Sequence, residues 1–263
     1  MILTIDIGNS TITLGGVEGD EILLECRLNT DRVKTSDTYC IDLKTLLEIY
    51  GVELGSIEGV IISSVVPQVL NSVRTAIRKL LNLEPMVVEP ELKTGLNIRL
   101  ENPGQLGADL VAADVAALRE HKPPMILINM GTATTISVLD PEGAHLGGCV
   151  CPGVKISLEA LRGKTSLLPG IQLESPRQAL GRNTADAMRS GIMYGTAAML
   201  DGMIDRFREE TGWDFTLVAT GGLARHIIPL CRHQICYDRY LIVKGLAALY
   251  RENLTESAEK TGL

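Results

Sequence analysis

Aromatic side chains are scarce in this chain. Phe, Trp and Tyr together make up 3% of its 263 residues. The core therefore has to be built from Leu, Ile, Val, Ala and Met, and there is no platform of rings on which the bases of single-stranded nucleic acid would stack. Basic clusters are missing as well. The 25 Lys and Arg residues are outnumbered by 32 Asp and Glu, for a net charge of −7, and no dense Lys/Arg run occurs. Both facts disfavour a nucleic-acid partner. No apolar stretch approaches the length of a membrane span, and the N-terminus has no signal-peptide pattern, so a cytoplasmic protein without a membrane partner is expected. Six cysteines are present but no Cys-x-x-Cys pair, which suits reduced thiols. Two familiar nucleotide signatures are also absent: there is neither a Gly-x4-Gly-Lys-Ser/Thr loop nor a Gly-x-Gly-x-x-Gly turn.

What the chain does contain is a short polar turn written twice. Ile5-Asp6-Ile7-Gly8-Asn9-Ser10 follows the apolar start Met1-Ile2-Leu3, and Ile128-Asn129-Met130-Gly131-Thr132-Ala133-Thr134-Thr135 follows Met125-Ile126-Leu127. Each reads as a buried strand, a polar residue at Asp6 or Asn129, a glycine two positions on, and then hydroxyl or amide side chains. A second hydrophobic stretch follows each, so each reads as a β-hairpin. The glycine lets backbone approach a phosphate closely, and turn N–H groups with Ser or Thr hydroxyls bind its oxygens. A carboxylate beside such a turn holds Mg²⁺, directly or through water. One Asp-x-Gly-Asn-Ser turn says little, because these residues dominate ordinary turns. Two copies, one in each half, point to a grip on a nucleotide triphosphate from both sides.

At 45% hydrophobic and 22% charged residues, the composition is that of a soluble globular protein, long enough for one large or two modest domains. Strands are expected at 1–7, 11–17, 21–28, 59–64 and 86–88, with helices at 36–50, 67–81 and about 107–121. His121-Lys122-Pro123-Pro124 breaks the pattern and sets a boundary, giving domains 1–122 and 123–263. Strands then recur at 125–129, 134–139, 144–150, 215–219 and 235–237. Helices are expected at 154–162, 184–210, 222–228 and 242–252, with a frayed tail at 255–263. Each half runs as a three-stranded meander followed by alternating helices and strands, an α/β arrangement.

Further motifs carry open alternatives. Asp109, after Asn102-Pro103-Gly104-Gln105-Leu106-Gly107-Ala108, falls in the first turn of a helix. It reads either as an ordinary first-turn acid favoured by the helix dipole or as a carboxylate that orients a substrate hydroxyl. Asn183 or Thr184 caps the long helix, whose Gly191 and Gly195 suit internal packing or a two-fold interface. Val218-Ala219-Thr220-Gly221-Gly222 runs a strand into glycines at a helix start, a place for phosphate or adenosine against backbone. Cys149 and Cys151 share a strand face and read most simply as core. Cys231, His233 and Cys236 have unusual spacing and no evident fourth ligand, so thiols are a simpler reading than zinc.

The duplicated order resembles the actin-like ATPase and sugar-kinase superfamily, in which two ribonuclease-H-like domains, each a mixed sheet with helices, face across a nucleotide cleft. The full motif order is more specific. It comprises Asp-x-Gly-Asn-Ser at 6–10, Asn-Pro-x-x-Leu-Gly-Ala-Asp at 102–109, Gly-Thr-Ala-Thr-Thr at 131–135 and Gly-Gly-x-x-x-Pro-Gly at 147–153. Leu-Pro at 168–169, Asn-Thr-x-x-Ala-Met-x-x-Gly at 183–191 and Ala-Thr-Gly-Gly-Leu-Ala at 219–224 complete it. From Met1 to about Asn253 this resembles a type III pantothenate kinase. The resemblance implies a cytoplasmic, homodimeric enzyme that moves the γ-phosphate of ATP to the primary hydroxyl of pantothenate, the first step toward coenzyme A. It implies Asp6 at the Mg²⁺–phosphate site, with Gly8, Asn9, Ser10, Gly131, Thr132, Gly221 and Gly222 at the nucleotide. It implies Asp109 as the group that accepts or orients the hydroxyl proton, Gly107 and Thr184 at the substrate, and a monovalent cation, K⁺ or NH₄⁺, near Asn129.

Three residues depart from the family pattern. Asn129 stands where the family usually has Asp, keeping an oxygen but losing a charge, so K⁺ affinity should fall. Leu110 stands where Arg usually follows the acid, and Leu100 stands where Tyr is usual. Such losses at a binding site often cost a few kcal/mol. A paralogue with weak or lost kinase activity and a nucleotide-binding or regulatory role is therefore one alternative, and a kinase for another small alcohol is a second.

Overall fold

The computed structural model describes residues 1–261, with side chains through residue 254. The chain divides into two compact units: residues 1–96, 102–119 and the chain from Tyr240 on form the first, and residues 97–101 with 120–239 the second.

The first unit is built on a five-stranded sheet in the order β3-β2-β1-β4-β5. Its strands are β1 (Ile2–Ile7), β2 (Thr11–Glu18), β3 (Glu21–Asn29), β4 (Gly59–Ser64) and β5 (Met86–Val87). β1 and β4 are buried at nearly every position, as central, largely parallel strands must be. β3, at the edge, alternates between the two environments. Helices α1 (Ser36–Ile49) and α2 (Pro67–Leu81) cover the sheet. The core between them is aliphatic, with Tyr39 its one fully buried ring. Helix α3 (Ala108–Glu120) follows a loop and a short 3₁₀ turn at Pro103–Gln105.

The second unit repeats the plan. Its strands are β6 (Met125–Met130), β7 (Ala133–Leu139), β8 (His145–Pro152), β9 (Thr216–Thr220) and β10 (Cys236–Tyr237). They are ordered β10-β9-β6-β7-β8. In both sheets the first strand pairs antiparallel with the second and parallel with the fourth. Helices α4 (Val154–Lys164), α5 (Thr184–Thr211) and α6 (Ala224–Ile227) complete this unit. α6 is shorter than the expected 222–228, because Pro229 carries the chain on as a 3₁₀ turn at Ile228–Leu230. The duplicated mixed α/β sheet anticipated from the element order is thus the fold observed.

The expected division at residue 122 differs from these units at residues 97–101, which fall in the second, and at the chain from Tyr240 on, which falls in the first. The last helix, α7 (Leu241–Thr261), belongs with the first unit. Leu246 and Leu249 join a cluster with Ile2, Ile61, Val111 and Val115. Gly245 lies so close to α3 that a Cβ on it would overlap the Ala112 carbonyl, and Tyr250 covers Gly59 of β4 in the same way. Most of the tail expected to be frayed is helical backbone to Thr261, and residues 262 and 263 lie outside the described residues.

α7 thereby holds α3, which carries Asp109, against the first unit. Gly245→Ala should gain at most about 1 kcal/mol of helix propensity while forcing backbone against backbone, for a net destabilisation of about 1–3 kcal/mol. Gly202→Ala in α5, where a Cβ meets nothing within 4 Å, should be neutral or stabilising. Urea denaturation of the two variants separates these outcomes, and a stabilised Gly245→Ala protein would contradict the packing.

Candidate active site

In the first unit Asp6 lies near the carboxyl end of β1, in register with Thr13 of β2 and Ser63 of β4. Ligands in open α/β sheets gather at such ends. The Ser63 hydroxyl, fully buried, donates to Asp6 Oδ1 at 2.7 Å. The adjoining turn is closed by the Gly8 N–H, which donates to the Thr11 carbonyl at 3.0 Å. Thr30 braces it from outside: its N–H donates to the Ser10 carbonyl at 3.1 Å and its hydroxyl to the Gly8 carbonyl at 2.6 Å.

Asp109 enters from the first turn of α3. Its carboxylate takes backbone N–H donors from Asp109 and Leu110. It folds back over Gly107, where a Cβ would stand 2.7 Å from Oδ1. Gly107 is thus the residue that makes room for the carboxylate. Asp109 satisfies the helix start, and its charge also acts on Asp6.

Burial dominates the electrostatics of both carboxylates. Burial, reinforced by the Asp109 charge and opposed by the Ser63 hydroxyl, pushes Asp6 from 3.8 to about 7. Burial also raises Asp109, against its two backbone donors. Two carboxylates that resist joint ionisation form a site that favours a cation. Among the described residues no group of three or more His, Cys, Asp and Glu could hold a metal, so a full protein cage is not the arrangement. Mg²⁺ carried by a nucleotide needs only one or two carboxylates, with waters and phosphate oxygens completing its shell. The Asp6 carboxylate fits that ion, with the charge of Asp109 adding to the negative potential around it.

A stability effect follows. Between pH 3.8 and about 7 the unfolded chain has released the Asp6 proton while the folded chain keeps it. Folding stability therefore falls as pH rises through this window, and the full loss persists above it. Asp6→Asn, which keeps an acceptor for Ser63, should stabilise the protein by about 1–3 kcal/mol at pH 8 and by almost nothing at pH 4. Equal denaturation midpoints for the variant and the natural protein at pH 8 would contradict the assignment.

In the second unit Asn129 occupies the matching place on β6, in register with Thr135 of β7 and Thr220 of β9. Amide and hydroxyls replace carboxylate here, so this row offers neutral oxygens only. The buried Thr134 and Thr135 hydroxyls have no hydrogen-bond partner among the described residues. The turn after β6 is one residue tighter than its counterpart, with the Gly131 N–H donating to the Ala133 carbonyl at 3.0 Å. Two glycines press on it. Gly153, after β8, would overlap the Thr132 carbonyl if it carried a Cβ. Gly221, after β9, has φ +101° and lies against the Met130 backbone. Gly131, Thr132, Gly153 and Gly221 are thus drawn into one backbone cluster, with exposed Gly222 next in sequence.

The remaining motif residues are placed as follows. Asn183, rather than Thr184, caps α5, its side chain accepting the Asp186 N–H at 2.9 Å, and Thr184 is exposed beside it. Gly191 and Gly195 face open space, so they do not serve internal packing within the described chain. Leu100 lies over Gly147 of β8, and Leu110 is half-buried on α3. Cys231, His233 and Cys236 form no metal-binding group among the described residues. Burial and Asp201 push the Cys231 thiol up to about 12, His233 Nε2 is 2.8 Å from Asp205 Oδ1, and Cys236 is exposed. Sequence reasoning missed Ser63. A serine ending an apolar strand beside the Asp6 strand was the available signal.

A family model for type III pantothenate kinases matches residues 2–206. A protein named type III pantothenate kinase from Exiguobacterium sp. (strain ATCC BAA-1283 / AT1b) is 41% identical over 253 residues, covering 96% of this chain and 99% of its own. One of the same name from Bacillus cytotoxicus is 39% identical over 260 residues, covering 99% of both. Among solved structures, a Campylobacter jejuni protein described as a Baf-family transcriptional activator superposes with a TM-score of 0.60 at 19% identity, over 96% of this chain and 99% of its own. One described as an N-acetylglucosamine kinase from Porphyromonas gingivalis gives 0.52 at 14% identity, over 96% and 99%. At these identities the structures speak for the fold alone, the mixed α/β fold with two five-stranded sheets.

Proposed function

The chain belongs to the type III pantothenate kinase family, and we propose that it transfers the γ-phosphate of ATP to the primary hydroxyl of pantothenate, giving 4'-phosphopantothenate. The observation that carries this reading is the buried Asp6–Asp109 pair, in which the charge of Asp109 makes the ionisation of Asp6 harder.

Asp6 would hold the Mg²⁺ that accompanies ATP, and the ion would offset phosphate charge. Gly8, Asn9 and Ser10, with Gly131, Thr132, Gly221 and Gly222, take the phosphates and nucleotide by backbone approach. Asp109 accepts the hydrogen bond of the acceptor hydroxyl and aims its oxygen at the γ-phosphorus. Phosphoryl transfer passes through a loose transition state, so aim and charge stabilisation matter more than early proton removal. The raised proton affinity of Asp109 suits it to take that proton as the new ester forms. Gly107 keeps the space in which this carboxylate sits.

Asn129 takes the place of a monovalent-cation ligand. It offers a neutral amide oxygen beside the unpartnered Thr135 hydroxyl, which suits weak K⁺ or NH₄⁺ binding. A homodimer is the proposed assembly. Glycine in a helix interior costs about 1 kcal/mol against alanine, and exposed Gly191 and Gly195 of the 28-residue α5 have no neighbour among the described residues to account for them. A second α5 approaching there accounts for both, and Thr184 then serves the acceptor site. Among the described residues no helix is long and apolar enough to cross a membrane, and ATP and pantothenate as substrates suit work in the cytoplasm.

ADP release with ATP, Mg²⁺ and pantothenate tests the reading. Turnover should require pantothenate and fall by about 10²-fold or more in Asp109→Asn with ATP affinity nearly unchanged. K⁺ should stimulate weakly, and more strongly in Asn129→Asp. Turnover independent of pantothenate, or intact in Asp109→Asn, would overturn the mechanism. A monomeric mass by light scattering with full turnover would remove the dimer.

A further inference from the structure

Arg32 stands beside the first phosphate turn, and no role above uses it. Its Nη2 donates to Asn9 Oδ1 at 3.2 Å, across 23 residues of sequence. Its backbone is held there by a built support. The hydroxyl of fully buried Tyr39 donates to the Asp31 carbonyl at 2.7 Å and accepts the Asp31 N–H at 3.0 Å. Asp31 Oδ1 accepts the Val33 N–H at 2.9 Å. On the other side Thr30 bonds both the Gly8 and Ser10 carbonyls. The loop 30–33 and the turn 8–10 are thus one hydrogen-bonded piece.

The charges around Arg32 are already committed elsewhere. Lys34 pairs with Asp42 at 2.8 Å, and Asp31 is turned to its own loop. Arg32 forms no ion pair with a described residue, and its hydrogen-bond partner is a neutral amide oxygen. A guanidinium carries five donors in a planar fork matched to phosphate, and one amide oxygen leaves most of them for a ligand. We infer that Arg32 is a phosphate-binding residue of the nucleotide site, contacting the polyphosphate held at Gly8–Ser10 while keeping Asn9 in place. This rests on the ATP-binding reading above.

Calorimetric titration of the Arg32→Gln protein with MgATP and with adenosine tests it. Removing one charge-assisted hydrogen bond should weaken MgATP binding about tenfold and leave adenosine unchanged. Arg32→Lys should recover part of the affinity, since it keeps the charge but not the fork. Unchanged MgATP affinity overturns the inference. So does an equal weakening for adenosine, which would mean that Arg32 only shapes the turn. If the natural protein binds no MgATP, this inference and the kinase reading fall together. Arg32-dependent MgATP binding without pantothenate-dependent ADP release would sink the acceptor alone and leave the inference standing.

Discussion

Two carboxylates kept from ionising comfortably are what the proposed chemistry depends on. Asp6 is presented by a central strand and Asp109 by a helix start, and burial raises the proton affinity of both. A fold gains nothing in stability from such a pair. In the proposed function its use is that a divalent cation bound with a nucleotide would relieve the repulsion. The Ser63 hydroxyl moderates the repulsion without removing it. The stability given up here is of the kind that functional sites commonly forgo.

Glycine-mediated backbone contact positions the rest. Gly245 lets α7 touch α3, which fixes the base of Asp109. Gly107 leaves room for that carboxylate, and Gly153 and Gly221 seat the loops after β8 and β9 on the turn after β6. In each case the missing side chain is what permits the approach. Substitution at Gly245, Gly153 or Gly221 is felt through backbone, which cannot yield as a flexible side chain can.

The strands and helices were legible because their causes are local. Apolar runs such as Met125–Ile128 and breakers such as Pro123-Pro124 speak within a few residues. The duplicated hairpin was legible because Asp6-x-Gly8 and Asn129-x-Gly131 recur at the same point in two similar element orders. The allegiance of α7 was not, since it is decided by Gly245 against Ala112 and Tyr250 against Gly59, pairs far apart in sequence. Ser63 and Arg32 were hidden for the same reason: each meets its partner across the fold. Gly191 and Gly195 suggested a close neighbour, and the described residues supply none.

The most direct measurement is the titration of the Asp6 carboxyl carbon by NMR in aspartate-labelled protein, assigned with Asp6→Asn. One resonance should titrate at about 7 in the free protein. It should move toward the ordinary range in Asp109→Asn and titrate lower when Mg²⁺ and ATP are present. An Asp6 resonance that titrates at about 4, the usual aspartate value, and ignores Asp109 and Mg²⁺ would contradict the account.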